Sequence, residues 1–257
     1  MRGIIKNIRM KGCIFMGRAH EVRAASMAKT AAKKSKINAK YGKLIYMAAK
    51  SGIPDPELNQ TLKKEIERAK KEQISAEVIR RAIERAKGGG SESYTQTRYE
   101  GFGPNNSLFI VACLTDNVNR TYTEVRTAFM KSYSKLGVDG SVIHQFKNQA
   151  VFSFEGLSDE EVLELLLEEE CDVEDIVLDD DLVTVYAPAT EYAHVKEVLE
   201  KQNENIEFIE DHISWLPTVK TKLVTEEDEK QYNRLMTMLD DIDDVQDIYH
   251  NIELNEA

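Results

Sequence analysis

The chain has few of the residues that build disulfide frameworks and metal sites. Its 257 residues include only three cysteines, Cys13, Cys113 and Cys171, which lie far apart and share no ligand spacing. The five histidines are scattered, and no two of them have the i, i+3 or i, i+4 spacing of a helical metal site. We therefore expect reduced thiols, no metal or other cofactor, and an intracellular protein of the cytoplasm.

Long apolar runs and catalytic motifs are also missing. No apolar stretch approaches the ~20 residues that a membrane-spanning helix requires. The sequence contains no Ser-His-Asp set, no G-x-S-x-G elbow and no H-E-x-x-H motif. Residues 101–106 look superficially like a phosphate-binding loop, but no Lys-Ser/Thr follows, and the loop leads into a strand instead of a helix N-terminus. From these absences we expect that the protein is not a membrane protein or an enzyme and has no small-molecule substrate.

Charge, in contrast, is abundant and is divided between two parts of the chain. Residues 1–90 contain 22 Lys and Arg against 8 Asp and Glu, a balance of +14. Residues 91–257 contain 12 against 37, a balance of −25, which together with the first part gives the net charge of −11. A basic first third joined to an acidic remainder predicts a polyanionic partner, most often nucleic acid, that contacts one end of the molecule.

The candidate nucleic-acid-binding residues are concentrated in this basic third. Eight Lys and Arg residues fall within 26 positions that contain only one acid, Glu21, and small residues between them allow close approach to a phosphate backbone. The predicted set is Arg18, Arg23, Lys29, Lys33, Lys34, Lys36, Lys40 and Lys43, helped by Arg80, Arg81 and Arg85. A solvated helix face is the alternative interpretation. Aromatic residues are scarce in this region: Tyr41 lies within residues 18–43, and Tyr46 lies just beyond them. This scarcity argues against single-strand binding by base stacking there.

Helical periodicity extends from residue 17 to residue 87. It predicts two helices over about 19–32 and 37–50, then a third that is capped by Asp55 and buries Leu58, and a fourth that begins after Ser75. Gly88-Gly89-Gly90-Ser91 is the clearest linker in the chain.

The remaining sequence mixes strands and helices. Strands are predicted over 94–99, 107–114, 141–146, 150–154, 175–178, 182–186, 206–209, 212–216 and 245–252. Helices are predicted over 119–135, with Met130 on the apolar side, over 159–170, over 190–202, and from Thr225 to residue 239. Two such groups of strands and helices predict two small α+β layers.

The densest polar run covers residues 115–121, between a predicted strand and a predicted helix. Helix capping explains much of this composition, and a functional binding loop is the alternative.

Several short motifs resemble the YebC family. They are Gly17-Arg18-Ala19-His20, Lys40-Tyr41-Gly42-Lys43, Pro54-Asp55-Pro56-Glu57-Leu58-Asn59, Tyr99-Glu100-Gly101-Phe102-Gly103-Pro104, Thr115-Asp116-Asn117-Val118-Asn119-Arg120-Thr121 and Gly140-Ser141-Val142. The likeness runs in order from Met16 to the C-terminus. The family includes probable transcriptional regulators and a mitochondrial translational activator of cytochrome c oxidase. The chain departs from the family pattern at Tyr133-Ser134, where a Gly-Gly pair is usual.

The resemblance implies an α+β fold: a helical N-terminal domain followed by two small α+β, ferredoxin-like domains, with the third inserted in the second. The predicted boundaries are 17–92 for the basic helical domain, 93–136 plus 214–257 for the second domain, and 137–213 for the inserted acidic domain. Residues 1–16 form an extension outside the match. An upstream start codon, with Met16 as the true beginning, is one explanation of the extension, and a mitochondrial presequence is another.

The expected function is a non-enzymatic, nucleic-acid-binding regulator of gene expression, with transcription as the traditional family role. The first alternative is a ribosome-associated translation factor that binds ribosomal RNA and relieves stalled translation. The second is a protein-interaction scaffold whose acidic sheets engage a basic partner. The family-motif loops are expected to shape a second contact surface through Tyr99, Glu100, Gly101, Gly103, Pro104, Asp116, Asn117, Asn119, Arg120 and Thr121.

Overall fold

The computed structural model describes residues 18–89, 93–202 and 206–253, with side chains described from residue 34 onward in the first range. The predicted extension over 1–16 and the linker residues Gly90 and Ser91 lie outside this description. The chain divides into two compact units, residues 1–91 and 92–257. The first unit is helical and consists of α1 (Arg18–Lys50), α2 (Gln60–Lys71) and α3 (Ala76–Lys87), and α1 packs against both of the other helices.

α1 is one continuous helix of 33 residues, where periodicity predicted two. The stretch expected to separate them, residues 33–36, contains three lysines and a serine but no Gly or Pro, and lysine propagates a helix well. The helix ends where it was predicted to end, at Lys50 before Ser51-Gly52. Ile45 and Tyr46 are its most deeply buried side chains.

The prediction that Asp55 caps the next helix was wrong. Asn59 caps α2 by accepting from the Leu62 backbone N–H at 3.0 Å, while its amide donates to the carbonyl oxygens of Ala48 and Ile53 at 2.9 and 3.0 Å. A carboxylate has no such donors, so it could not join the start of α2 to the end of α1. Leu58, expected to be buried, precedes the helix and is 68% exposed.

The second unit contains two antiparallel four-stranded sheets. Its elements are, in order, β1 (Thr95–Phe102), β2 (Leu108–Thr115), α4 (Val118–Lys131), β3 (Lys135–Leu136), β4 (Phe146–Glu155), α5 (Asp159–Glu168), β5 (Asp175–Asp179), β6 (Leu182–Pro188), α6 (Tyr192–Gln202), β7 (Phe208–Pro217), α7 (Glu226–Asp240) and β8 (Val245–His250). The strand orders are β3-β1-β2-β8 and β5-β6-β4-β7. The chain leaves the first sheet after β3, builds the whole second sheet, and returns through α7 to β8. The predicted α+β class is confirmed.

Each sheet carries a pair of helices over its own apolar core. α4 and α7 cover the first sheet, where Phe109, Phe129 and Leu235 are fully buried. α5 and α6 cover the second sheet, where Phe152 and Leu166 are fully buried. No helix in the described ranges is long and apolar enough to cross a membrane.

Two predicted strand pairs are single strands. β4 begins at Phe146, and residues 141–145 before it form a loop with a short 3-10 turn. The strands expected over 206–209 and 212–216 are one strand, β7, which continues to Pro217. The expected division between residues 213 and 214 therefore lies within a strand, and the domain boundaries stay a prediction.

Candidate nucleic-acid interface

A row of basic positions follows from the continuity of α1. Nine Lys and Arg residues and one acid, Glu21, lie in this helix. Six of the nine, Lys29, Lys33, Lys36, Lys40, Lys43 and Lys50, are separated by three, four or seven residues. Positions with that spacing lie along one face of a continuous helix, over a length of about 30 Å at 1.5 Å per residue. We call these six positions the α1 row.

The described part of the α1 row lies away from the buried face of the helix. Lys36, Lys40 and Lys43 are half-buried and Lys50 is exposed, whereas Tyr41 and Ile45 are buried. Lys34 is exposed but lies outside the row. The side chains of Arg18, Arg23, Lys29 and Lys33 lie outside the described residues, so only their positions on the helix are known.

The three candidate arginines lie on α3 and are engaged by the protein itself. Arg80 lies 3.9 Å from Glu84, and Arg81 pairs with Glu77. Both ion pairs are largely exposed, and such pairs contribute little to stability, so the two guanidinium groups can exchange partners. Arg85 lies over the Tyr46 ring of α1, 4.7 Å from its centroid. The three arginines thus lie on a different helix from the α1 row, and each has a partner within the first unit.

Lys50 is a candidate that the sequence prediction missed. Its seven-residue distance from Lys43 was the available signal, because both residues lie within the helix predicted over 37–50. Its ammonium group also lies over the Tyr46 ring, 5.5 Å from the centroid.

The first family-motif loop is organised around a buried carboxylate. Glu100 of β1 is 2% exposed, and its oxygens accept from the backbone N–H groups of Gly140, Val142 and Ile143 at 3.0, 2.6 and 2.9 Å. Desolvation by burial raises the pKa of Glu100, but these hydrogen bonds and the nearby charge of Arg98 outweigh it and hold the pKa below its ordinary value. Glu100 thus fastens the loop before β4 to the first sheet.

The two glycines of this loop leave no room for a side chain. A Cβ at Gly101 would collide with the Phe129 ring of α4, and a Cβ at Gly103 would collide with Phe109 and Ser107. These glycines therefore allow the hairpin and α4 to pack closely. Pro104, which starts the short 3-10 turn after Gly103, is buried as well.

The second family-motif loop surrounds another buried carboxylate, Asp244, which is 4% exposed. One of its oxygens accepts from Thr115 at 2.9 Å, from Thr121 at 2.8 Å and from the Arg120 guanidinium at 2.6 Å. The hydrogen bonds from Arg120 to Asp244 and then to Asp116 raise the pKa of the arginine.

Capping accounts for the rest of this loop. Asn117 caps α4 by accepting from the Arg120 N–H at 3.1 Å, and the exposed Asn119 backbone carbonyl accepts from Thr123. Most of the ten motif-loop residues thus have a structural role within the second unit. A contact role for these loops stays a prediction.

Asp244 could not be predicted as a partner of this loop, because it lies 129 positions from Thr115 in the chain. In the part of the chain that the structure describes, no group of three or more His, Cys, Asp or Glu side chains is placed to hold a metal ion. Cys113 and Cys171 are buried, and neither forms a disulfide with a described residue.

The architecture defines a class of protein: a basic helical unit followed by two antiparallel α+β layers. Family models match both units, as the "TACO1/YebC protein N-terminal domain" over residues 18–89 and the "TACO1/YebC second and third domain" over residues 94–252. The chain belongs to the TACO1/YebC family.

Curated relatives carry a regulatory name. A "Probable transcriptional regulatory protein" of Acholeplasma laidlawii is 51% identical over 92% of this chain and 98% of the relative. One of Pseudoalteromonas translucida is 52% identical, with the same coverage. A crystal structure of a conserved hypothetical protein from Aquifex aeolicus matches with a TM-score of 0.72 and 33% identity, covering 90% of this chain and 94% of that one.

Proposed function

We propose that this chain regulates gene expression by binding nucleic acid through the α1 row. Relatives about half identical to it are named probable transcriptional regulatory proteins, which supports the regulatory role. The observation that carries the binding proposal is the helix itself: 33 unbroken residues with nine basic side chains and one acid.

Electrostatics favours this helix as the contact. Positive charges spaced along about 30 Å can meet successive phosphates, and the release of counterions from the nucleic acid drives such binding. The second unit, at −25 over residues 91–257, repels the same polyanion as a whole, so duplex or ribosomal RNA contact is favoured at the basic end. Phosphate contacts of this kind position a protein without reading sequence.

The target is duplex DNA under the transcriptional hypothesis and ribosomal RNA under the translational one. Both present phosphates to the α1 row, so they are the two arms of one experiment. We place the activity in the cytoplasm, which agrees with the reduced state of Cys113 and Cys171. No catalytic step is proposed.

The experiment measures the affinity of the full chain for a 30-base-pair DNA duplex and for ribosomes across a salt series. The test variant carries Lys36→Glu, Lys40→Glu and Lys43→Glu. The control carries Lys63→Glu, Lys64→Glu and Lys70→Glu on exposed positions of α2, so that the total charge changes equally. We expect the test variant to lose at least about tenfold in affinity and to show a shallower slope against log salt.

The arm with the steeper wild-type salt slope and the larger loss in the test variant identifies the target. Equal losses in the test and control variants would show that only net charge matters and would remove the α1 row from the proposal. Absence of binding in both arms would overturn the proposal as a whole.

A further inference from the structure

The outer flank of α4 carries exposed aromatic and basic side chains. Tyr122, Arg126 and Met130 are spaced four residues apart and are all exposed, the first 45% and the last 62%. Met130 was predicted on the apolar side of this helix, which the structure corrects. Tyr133 follows the helix and is 77% exposed, and its backbone N–H donates to the Met130 carbonyl at 3.2 Å. We call these four residues the α4 flank.

The α4 flank faces away from the helix that shares its sheet. On the other side of α4, Thr121 donates to Asp244 and Ser132 contacts the sulfur of Met238 in α7. Tyr122 instead packs on the Tyr99 ring of β1, with 6.1 Å between centroids. This contact holds the Tyr122 ring in place while leaving nearly half of it exposed.

The charges beside the α4 flank differ from those of the acidic unit as a whole. Residues 93–136 contain five Lys and Arg against three acids, whereas the remainder of residues 91–257 contains seven against 34. Two of the five bases, Arg98 and Arg120, are paired with acids of the same unit. Glu124 lies on the other side of α4 by its spacing from Arg126.

The basic side chains beside the flank have no ion pair among the described residues. This is true of Arg126 in α4 and of Lys135 in β3, both of which are exposed. Charges beyond about 8 Å are largely screened at physiological salt. A ligand at the α4 flank therefore experiences a local positive charge despite the acidity of the unit.

The backbone of Tyr133 closes α4. Its φ of +55° lies in the left-handed region, as do those of Gln73 after α2 and Glu170 after α5, and the next N–H, of Ser134, donates to the Phe129 carbonyl at 2.9 Å. Glycine adopts this conformation freely and a bulky residue adopts it at a cost. The capping position leaves the Tyr133 side chain largely in solvent, next to Met130.

We propose that the α4 flank is a binding site for single-stranded nucleic acid, separate from the α1 row. The Tyr122 and Tyr133 rings offer faces on which unpaired bases stack, and Arg126 and Lys135 neutralise the phosphates between them. Paired bases do not expose such faces, so the site favours single strands over duplexes. Charge complementarity selects this polyanion over an uncharged peptide, which could also pack on tyrosine rings.

The experiment measures the binding of fluorescent 12-nucleotide oligouridylate and oligothymidylate to the full chain across a salt series. The two oligonucleotides distinguish RNA from DNA as the source of the single strand. Tyr122→Ala with Tyr133→Ala is expected to weaken binding at least about tenfold, since each stacked base contributes substantially. Tyr122→Phe with Tyr133→Phe keeps both ring faces and is expected to stay within about twofold of wild type.

Charge and fold are controlled separately. Arg126→Glu is expected to reduce the salt slope by about one. Its matched control, Arg234→Glu, changes an exposed arginine on α7 and is expected to leave binding unchanged. Tyr133→Gly relieves the left-handed strain, so it should raise the melting temperature while weakening oligonucleotide binding. Opposite signs of these two effects cannot arise from misfolding.

The outcomes separate this site from the proposed function. The tyrosine pair should weaken oligonucleotide binding equally in wild type and in the variant with a reversed α1 row. If the alanine pair binds single strands as wild type does, or if an uncharged proline-rich peptide competes without salt dependence, the α4 site is overturned and the α1 proposal is untouched. If oligonucleotides bind the flank but duplex and ribosomes do not bind α1, the α4 site stands and the proposed function falls.

Discussion

The buried carboxylates and the α4 flank of the second unit show opposite arrangements of side chains. Glu100 and Asp244 are turned inward, where each carboxylate accepts hydrogen bonds from three donors. The side chains of the α4 flank are turned outward. Most residues of the motif loops therefore have a role within the fold, while we propose that exposed helical positions contact a partner. The difference teaches that a polar run marks function only when its groups are not already satisfied by the protein.

The largest effect is expected from removing an inward charge. Glu100→Ala leaves the N–H groups of Gly140, Val142 and Ile143 without their acceptor in a buried place, which costs about 3–5 kcal/mol of unfolding free energy. Chemical denaturation of the full chain measures this loss. Glu124→Ala removes an exposed carboxylate of the same unit and should change stability by no more than about 0.5 kcal/mol. Similar losses in both variants would erase the distinction between inward and outward charges.

A smaller effect is expected from acid. The pKa of Glu100 is depressed in the folded state, so its contribution is complete above the pKa of the unfolded chain and is lost as pH falls through the lower folded value. Stability of the wild type should therefore decrease from about pH 5 downward more steeply than that of Glu100→Gln. Urea denaturation between about pH 6 and 3 compares the two slopes. Parallel slopes would mean that Glu100 titrates as it does in the unfolded chain.

The smallest effect, and the only gain, is expected from Tyr133→Gly. Relief of the left-handed conformation should stabilise the chain by up to about 1 kcal/mol, offset in part by the greater freedom of glycine in the unfolded state. Thermal denaturation monitors the change, with Tyr133→Ala as a control that keeps the strain and loses the ring. A destabilised glycine variant would show that the Tyr133 ring supports the fold, contrary to its exposure.

Local signals in the sequence predicted local structure well. Ser158 and Thr225 form capping boxes with Glu161 and Asp228, and the helices α5 and α7 begin at the expected residues. The β1–β2 hairpin is likewise encoded by alternation on either side of a Gly and Pro turn. Caps and hairpins depend on residues only a few positions apart, which is why periodicity and turn chemistry suffice for them.

Long-range contacts could not be predicted from periodicity and turn chemistry. The Glu100 carboxylate binds N–H groups 40 to 43 positions away, and Asp244 lies more than 120 positions from both Thr115 and Thr121. Five of the six residues of the α1 row were predicted from the sequence, but their arrangement in one row was not, because periodicity divided the helix over residues 33–36. The division of charge predicted that the basic first third of the chain contacts a polyanion. The unbroken helix shows how the basic positions of that segment are aligned.

The central claim is that nucleic acid contacts the α1 row and the α4 flank. Ultraviolet crosslinking of the full chain to bound nucleic acid tests it most directly, with mass spectrometry to identify the crosslinked peptides. Crosslinks are expected in peptides of α1 around residues 29–50 for duplex or ribosomal RNA and around residues 119–135 for single strands. Crosslinks confined to residues 99–106, or to the acidic sheet formed by β4 to β7, would contradict the account.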